Sequence, residues 1–433
     1  MSKIREMLAD QNQFIFLDGA MGTMLVRAGL EVSIKPEEMN MKHADIVGGI
    51  AGQYAAAGSN IVYANTFVAN RHKLKDSEYT VEEVVMAAVQ AARNAVPEDT
   101  MVALDIGPIG LLVEPTGDLP FEDAVDIFKE MVDAGVKAGC DLVVYETMSD
   151  LNELRAGVIA AKENSDLPIF CTMSFEKSGR TYTGCSPEAM AAVLDGLGVD
   201  AFGINCSLGP VEILPFAKTL ASVTNTPIII KANAGMPDPV KGTYDITPEE
   251  FGGYMKDYAA LGIRIMGGCC GTQPSYIEQI KAQAPGSFAP HVEVKRVPMA
   301  GIATRISEID EQMIADSIIE PDEDYREAVQ EASAEDLQDC LLDLEDDGAD
   351  FLMIDVTGAA DEVALMKEIV SMMQPMSMTP FLFRSNDPAV IEAALRPYQG
   401  KAVVVTDPSA LDTVKPVADK YGAVLYAQGI VSY

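Results

Sequence analysis

Eight short apolar runs recur through the first 285 residues, with longer stretches of helical period between them. They are FIFLD (14–18), NIVYAN (60–65), MVALD (101–105), DLVVYE (141–146), PIFCTMS (168–174), AFGINC (201–206), PIIIKAN (227–233) and IRIMGGCC (263–270). Each is suited to a strand buried on both faces, and intervening segments such as VEEVVMAAVQAARNAV and FEDAVDIFKEMVDAGVKAG carry apolar residues at helical spacing. Eight alternating units predict an α/β chain whose main body is a (β/α)8 TIM barrel. In that fold chemistry sits where strands end and the following loops begin.

The predicted strand ends are polar. In order they read Asp18-Gly19-Ala20-Met21-Gly22-Thr23, Asn65-Thr66-Phe67, Asp105-Ile106-Gly107-Pro108, Glu146-Thr147, Ser174-Phe175, Asn205-Cys206-Ser207, Asn233-Ala234-Gly235 and Gly268-Cys269-Cys270-Gly271-Thr272. Any one of them alone is explained as a loop residue satisfying its own backbone. Eight in register point to one functional mouth.

Three of the seven cysteines stand at these ends, and the other four, Cys140, Cys171, Cys185 and Cys340, are scattered singly. An odd count without a framework predicts reduced thiols, and those four read as buried packing residues. Cys206 closes the sixth strand, and Cys269 and Cys270 close the eighth, so a barrel would bring three thiols to one mouth. Three thiolates are a soft donor set suited to zinc (Zn2+), and three protein ligands with one open corner describe a catalytic rather than a structural site. Zinc beside a substrate thiol would hold it as thiolate, the form that attacks carbon, so thiol alkylation is the implied chemistry.

Composition excludes some partners. With 66 acidic and 31 basic residues the net charge is -35, which repels nucleic acid and anionic lipid. The opening MSKIREMLADQNQ is charged and no later apolar run nears the length of a membrane span, so a cytoplasmic protein is expected.

The motifs LDGAMGTML (17–25), ANTFVAN (64–70), YETMSD (145–150), GINCSLGP (203–210), NAGMPDP (233–239) and GGCCGTQP (267–274) cover the whole barrel. On these residues the chain resembles the homocysteine S-methyltransferase family, most closely the homocysteine-binding domain of cobalamin-dependent methionine synthase. The resemblance implies a transferase that forms methionine from homocysteine. It implies zinc held by Cys206, Cys269 and Cys270, with Asn233 matching an asparagine near the metal that fills the fourth place in the absence of substrate. Asp18 and Glu146 match carboxylates that hold the homocysteine amino group, and the backbone of Gly19, Ala20, Met21, Gly22 and Thr23 is suited to its carboxylate. Asn65 and Asn205 complete the expected substrate-binding set, and no catalytic side chain is expected beyond the zinc-activated substrate thiolate.

The remaining residues divide into a linker with an acidic helical segment (286–330) and a smaller α/β domain (331–433), following a barrel of residues 1–285. Strand candidates in the tail are FLMIDV (351–356), PFLFRS (380–385), KAVVVT (401–406) and AVLYAQ (423–428). The tail resembles the first half of the pterin-binding barrel that follows the homocysteine domain in methionine synthase. It departs from that pattern at KRVPMAGIATR, where a GERINPTG-like opening belongs, and at Thr357, where Asn follows Asp355-Val356. Half a barrel leaves open edges, which must pair with another copy, dock on a partner or be covered locally; docking or homo-oligomerisation through this domain is expected. His43, His72 and His291 lie in no DxHxxG context, so methylcobalamin would have to arrive on a separate corrinoid protein. Two alternatives stand beside this: a small onium donor such as S-methylmethionine or betaine, and a non-catalytic thiol- or zinc-binding scaffold.

Overall fold

The computed structural model describes residues 2–10, 12–30, 35–236, 244–286 and 292–433. His291 and part of the NAGMPDP motif lie outside the described residues. The chain forms two compact units, one comprising residues 1–113, 119–183 and 199–294 and the other comprising 114–118, 184–198 and 295–433.

All eight expected strands of the first unit are present. They are β1 (Ile15–Phe16), β2 (Ile61–Tyr63), β3 (Met101–Ile106), β4 (Leu142–Met148), β5 (Ile169–Met173), β6 (Ala201–Asn205), β7 (Ile228–Ala232) and β8 (Ile265–Gly268). Every pairing is parallel, in the order β1-β8-β7-β6-β5-β4-β3-β2. Inward side chains including Leu17, Ile61, Ala103, Val144, Phe170, Ala201, Ile229 and Ile265 fill the barrel. Helix Lys3–Ala9 sends Ile4 into the same core. Helix starts follow capping chemistry: Thr80 and Glu83 form a reciprocal box at Val81–Ala95, as do Thr247 and Glu250 at Pro248–Ala259.

The join between β1 and β2 is made differently from the rest. No register of paired residues links them; Asn60 N donates to Phe16 O at 2.7 Å, Phe16 N donates to Asn60 Oδ1 at 2.8 Å, and Tyr63 N donates to Asp18 Oδ2 at 2.7 Å. Side chains thus stand in for two ladder acceptors at this seam.

In the second unit the four expected strands appear as β11 (Leu352–Ile354), β12 (Phe381–Arg384), β13 (Val403–Val405) and β14 (Val424–Ala427), all parallel, preceded by a hairpin of β9 (Met299–Ile302) and β10 (Arg305–Glu308). The hairpin replaces part of the expected linker, and the acidic segment holds three helices, Glu311–Asp316, Glu323–Glu331 and Ala334–Asp346. Both edges of the four-stranded parallel part of the sheet have local cover. β15 (Ile430–Ser432) turns back antiparallel on β14, and the Tyr325 hydroxyl, from the helix Glu323–Glu331, accepts from Asp355 N at 3.0 Å and donates to Met353 O at 3.4 Å along the outer edge of β11. Asp355 also faces Arg384 at 3.6 Å and accepts from Thr357 N at 2.9 Å.

Candidate metal centre

Strands β6 and β8 end at neighbouring points of one mouth, and this brings the three cysteines together. Their sulfur atoms all lie within 4.8 Å of one another, with Cys206 Sγ and Cys270 Sγ 3.6 Å apart. The backbone is bent to achieve it. Cys206 and Ser207 both adopt positive φ, 60° and 55°, a conformation that side-chain-bearing residues hold only when surroundings dictate it. Beyond the cysteine pair, Gly271 takes φ 82°, and a Cβ there would collide with the Tyr244 ring. Among the three thiols Cys270 is lowered, to about 3, by hydrogen bonds from Cys206 and then Cys269, while Cys269 is raised well above the usual thiol range by its bonds to Cys206 and Cys270.

Asn233 follows β7 in the same mouth. Its neighbours bond the backbone of the cysteine pair: Cys269 N donates to Ala232 O at 2.8 Å, and Ala234 N donates to Cys270 O at 2.9 Å. The Asn233 side chain is buried and its Oδ1 has no hydrogen-bond partner, an orphan acceptor that a cation would satisfy. Three convergent sulfurs suit zinc, which takes thiolate ligands at tetrahedral geometry.

Asn205 ties the sulfur cluster to an acidic one. Its Nδ2 donates to Cys269 Sγ at 3.7 Å and to Thr147 Oγ1 at 2.6 Å, while its Oδ1 accepts from Thr147 N at 2.9 Å. Thr147 sits at φ 60° within an irregularity of β4 between Tyr145 and Met148. Bulges of this kind redirect a side chain, here Glu146, which lines the cavity.

That cavity, about 380 Å³, is lined by Asp18, the loop Gly19–Thr23, Asn65, Glu146, Cys206, Cys269 and Cys270 among others. Asn65 lines it with its amide nitrogen committed, donating to Pro36 O at 2.7 Å and to Asn40 Oδ1 at 2.9 Å. Helix Met21–Arg27 opens with no side-chain cap, which leaves backbone N–H groups at the mouth for an anion.

The unexpected occupant is Lys231. It is 2% exposed, lies 3.1 Å from Asp18 Oδ1 and 2.8 Å from Glu146 Oε1, and stands over the Tyr63 ring at 3.6 Å. The Glu146 contact is an ion pair whose angle makes no hydrogen bond. Burial opposes the lysine's charge, but Glu146, Tyr63 and Asp18 outweigh it and hold the ammonium well above the usual lysine range. Asp18 is nonetheless pushed up to about 6, because burial outweighs Lys231 and the Tyr63 N–H. A lysine inside the apolar run PIIIKAN was the sequence signal for this pair, since a buried lysine needs a partner.

Two more carboxylates line the cavity, Asp105 and Glu37. Burial raises Asp105 well above the carboxylate range, with Glu146 adding to it. Glu37 is raised to about 7 by burial, although Val68 N donates to its Oε1 at 3.1 Å. Its folded pKa lies above the usual 4.5, so folding carries the cost of a buried charge above about pH 7 and none below 4.5. Glu37→Gln, which retains an acceptor for Val68, is therefore expected to stabilise the protein by up to about 3 kcal/mol at pH 8 and to leave it unchanged at pH 4, as read by urea denaturation.

His43 lies at the junction of helices Met39–Lys42 and Ala44–Ala57, as a helix-end residue. No helix among the described residues is long and apolar enough to cross a membrane.

Comparison with known proteins bears on this geometry. The family model for homocysteine S-methyltransferase matches residues 15–284. A methionine synthase of Mycobacterium tuberculosis (strain ATCC 25618 / H37Rv) is 27% identical over 419 residues, covering 89% of this chain and 35% of that protein. The chain thus spans about a third of that relative's length. Crystal structures of the homocysteine methyltransferase MmuM from Escherichia coli share the fold. The metallated form is 22% identical with a TM-score of 0.57, over 65% of this chain and 99% of that one. The oxidized form is 21% identical with a TM-score of 0.57, over 64% and 99%.

Proposed function

The chain belongs to the homocysteine S-methyltransferase family, and from that membership we propose that it is a zinc-dependent enzyme that methylates the sulfur of homocysteine to give methionine. The observation that carries the proposal is the convergence of Cys206, Cys269 and Cys270 within 4.8 Å beside a cavity walled by carboxylates. Zinc held by these three sulfurs would bind a fourth, the substrate's, as thiolate ready to attack a methyl carbon. Asn233 offers its orphan Oδ1 to the fourth corner while no thiol is present. Asn205, through Cys269 and Thr147, keeps the sulfur cluster in register with Glu146. The acidic wall that includes Asp18 and Glu146 receives the substrate ammonium, and the N–H groups of Met21, Gly22 and Thr23 receive its carboxylate, that of Ala20 being donated to Thr272.

The methyl group is delivered by a corrinoid held outside the residues of this sequence. The three histidines of the sequence stand in no DxHxxG context, and of the two aromatic rings that line the cavity, Tyr63 and Phe67, the first is covered by Lys231. The second unit takes no pterin in this proposal; its parallel sheet stops at four strands plus the antiparallel β15.

The test is X-ray absorption at the zinc edge of the reconstituted, reduced protein. Three sulfur neighbours are expected, rising to four when homocysteine is added. A count that stays at three would overturn homocysteine as the acceptor, and a protein that takes up no zinc would overturn the metal site.

A further inference from the structure

The parallel strands of the second unit end in a cavity of their own. Arg384 and Tyr426 stand two residues beyond the core residues Leu382 and Val424 of β12 and β14, and so on the same face of the sheet; Asp355 and Asp407 follow directly after β11 and β13. These four side chains line a cavity of about 380 Å³, to which Ile318 and Val405 add apolar wall. The carboxyl ends of parallel strands are where α/β units take ligands, and this volume suits a small molecule. Some of the polar groups here are already paired. Asn386 Nδ2 donates to Asp407 Oδ2 at 2.6 Å, and Asn386 Oδ1 accepts from Thr406 Oγ1 at 2.9 Å and from Asp407 N at 2.8 Å. Asp355 accepts from Thr357 N at 2.9 Å and faces Arg384 Nε at 3.6 Å, an ion pair too long for a hydrogen bond. Others are not. The Arg384 guanidinium donates no hydrogen bond among the described residues, although the side chain is only 36% exposed, and Tyr426, 9% exposed, has a hydroxyl without a protein partner among them.

We propose that this cavity is a binding site for a small monocarboxylic acid, whose carboxylate is received by Arg384 and the Tyr426 hydroxyl and whose apolar body lies against Ile318 and Val405. The unpaired groups are donors, so the ligand must bring the acceptor. Asp355 faces Arg384 at Nε and leaves the two terminal nitrogens for a carboxylate, which a guanidinium fork meets with two parallel bonds. The neighbouring acids set the ligand's charge. With Asp355 and Asp407 beside one guanidinium there is no counter-charge for a second negative group, so a dicarboxylate or a phosphate dianion is rejected. The site lies wholly within the second unit and uses none of the residues assigned to methyl transfer.

The experiment is ligand-observed NMR of the full chain, with butanoate titrated by saturation transfer and n-butylammonium, 6-methylpterin and inorganic phosphate added as competitors. The wild type is expected to bind butanoate, and none of the three competitors should displace it. Arg384→Gln should weaken butanoate by roughly tenfold to a hundredfold, the range for losing a hydrogen bond to a charged group. Arg384→Lys retains a charge opposite Asp355 without the fork and should weaken it less. Tyr426→Phe removes a single hydroxyl, keeps the ring in the core, and should weaken it by about two- to tenfold. A wild type that gives no butanoate signal would overturn the proposal. Unchanged affinity in both Arg384→Gln and Tyr426→Phe would do so too, since butanoate would then sit elsewhere on the chain. Displacement by phosphate would replace the carboxylate with another anion, and displacement by butylammonium or the pterin would show that no anion is being read; either result sinks the assignment.

Discussion

Cys269→Ala is expected to lose tightly bound zinc and to reduce methyl transfer to homocysteine by well over about 100-fold, since removing merely an outer partner of a zinc ligand costs about 10- to 100-fold at such sites. The residue is central to the cluster. Its sulfur lies within 4.8 Å of both other sulfurs, and it is the one that Asn205 contacts. Zinc content after dialysis and turnover with a methylated corrinoid protein measure the two effects, and circular dichroism establishes that the barrel has formed. A variant that kept stoichiometric zinc and full turnover would remove Cys269 from the ligand set.

Lys231→Met should be the most destabilising single change in the barrel's mouth, by about 3–5 kcal/mol, the range for breaking a buried ion pair by removal of one partner. Asp18 and Glu146 would face each other without the ammonium that lies 3.1 Å from one and 2.8 Å from the other. The effect depends on pH with a definite sign. Asp18 already titrates at about 6 with the lysine present, and loss of a neighbouring cation moves a carboxylate further up. At pH 8 the variant must bury the ionised Asp18 carboxylate without its counter-charge, or protonate it, in order to fold; at pH 5 Asp18 takes up a proton and much of the penalty is relieved. Urea denaturation at the two pH values should show a loss at pH 8 that shrinks at pH 5. An equal loss at both would mean that Lys231 contributes packing rather than charge.

Much of this architecture is legible in the sequence because strands buried on both faces leave a strong signal. Runs such as PIFCTMS and AFGINC contain the observed Ile169–Met173 and Ala201–Asn205. The cysteine cluster was legible for the same reason, since residues that end parallel strands of a barrel must share a mouth. What escaped depended on side chains meeting across the fold. Nothing local shows that the Asn65 amide nitrogen is bound to Pro36 and Asn40. Lys231 stands within the apolar run PIIIKAN and Asp105 among the polar strand ends, but neither shows in the sequence which side chains it meets. The hairpin Met299–Ile302 with Arg305–Glu308 was obscured by its brevity and by Gly301, which suggests a linker. Strand Ile430–Ser432 is three residues long and pairs along one side only, so it too carries little pattern.

The seam between β1 and β2 bears on how this protein could be engineered. Seven of the eight joints around the barrel are written in backbone registers that tolerate many side chains. The eighth depends on Asn60 and Asp18, and Asp18 also belongs to the pocket. A library that randomised the pocket wall indiscriminately would therefore spend many of its members on barrels that fail to close. Asp105 and Glu37, which line the same pocket but bridge no such joint, are the places to begin when the acceptor is to be changed.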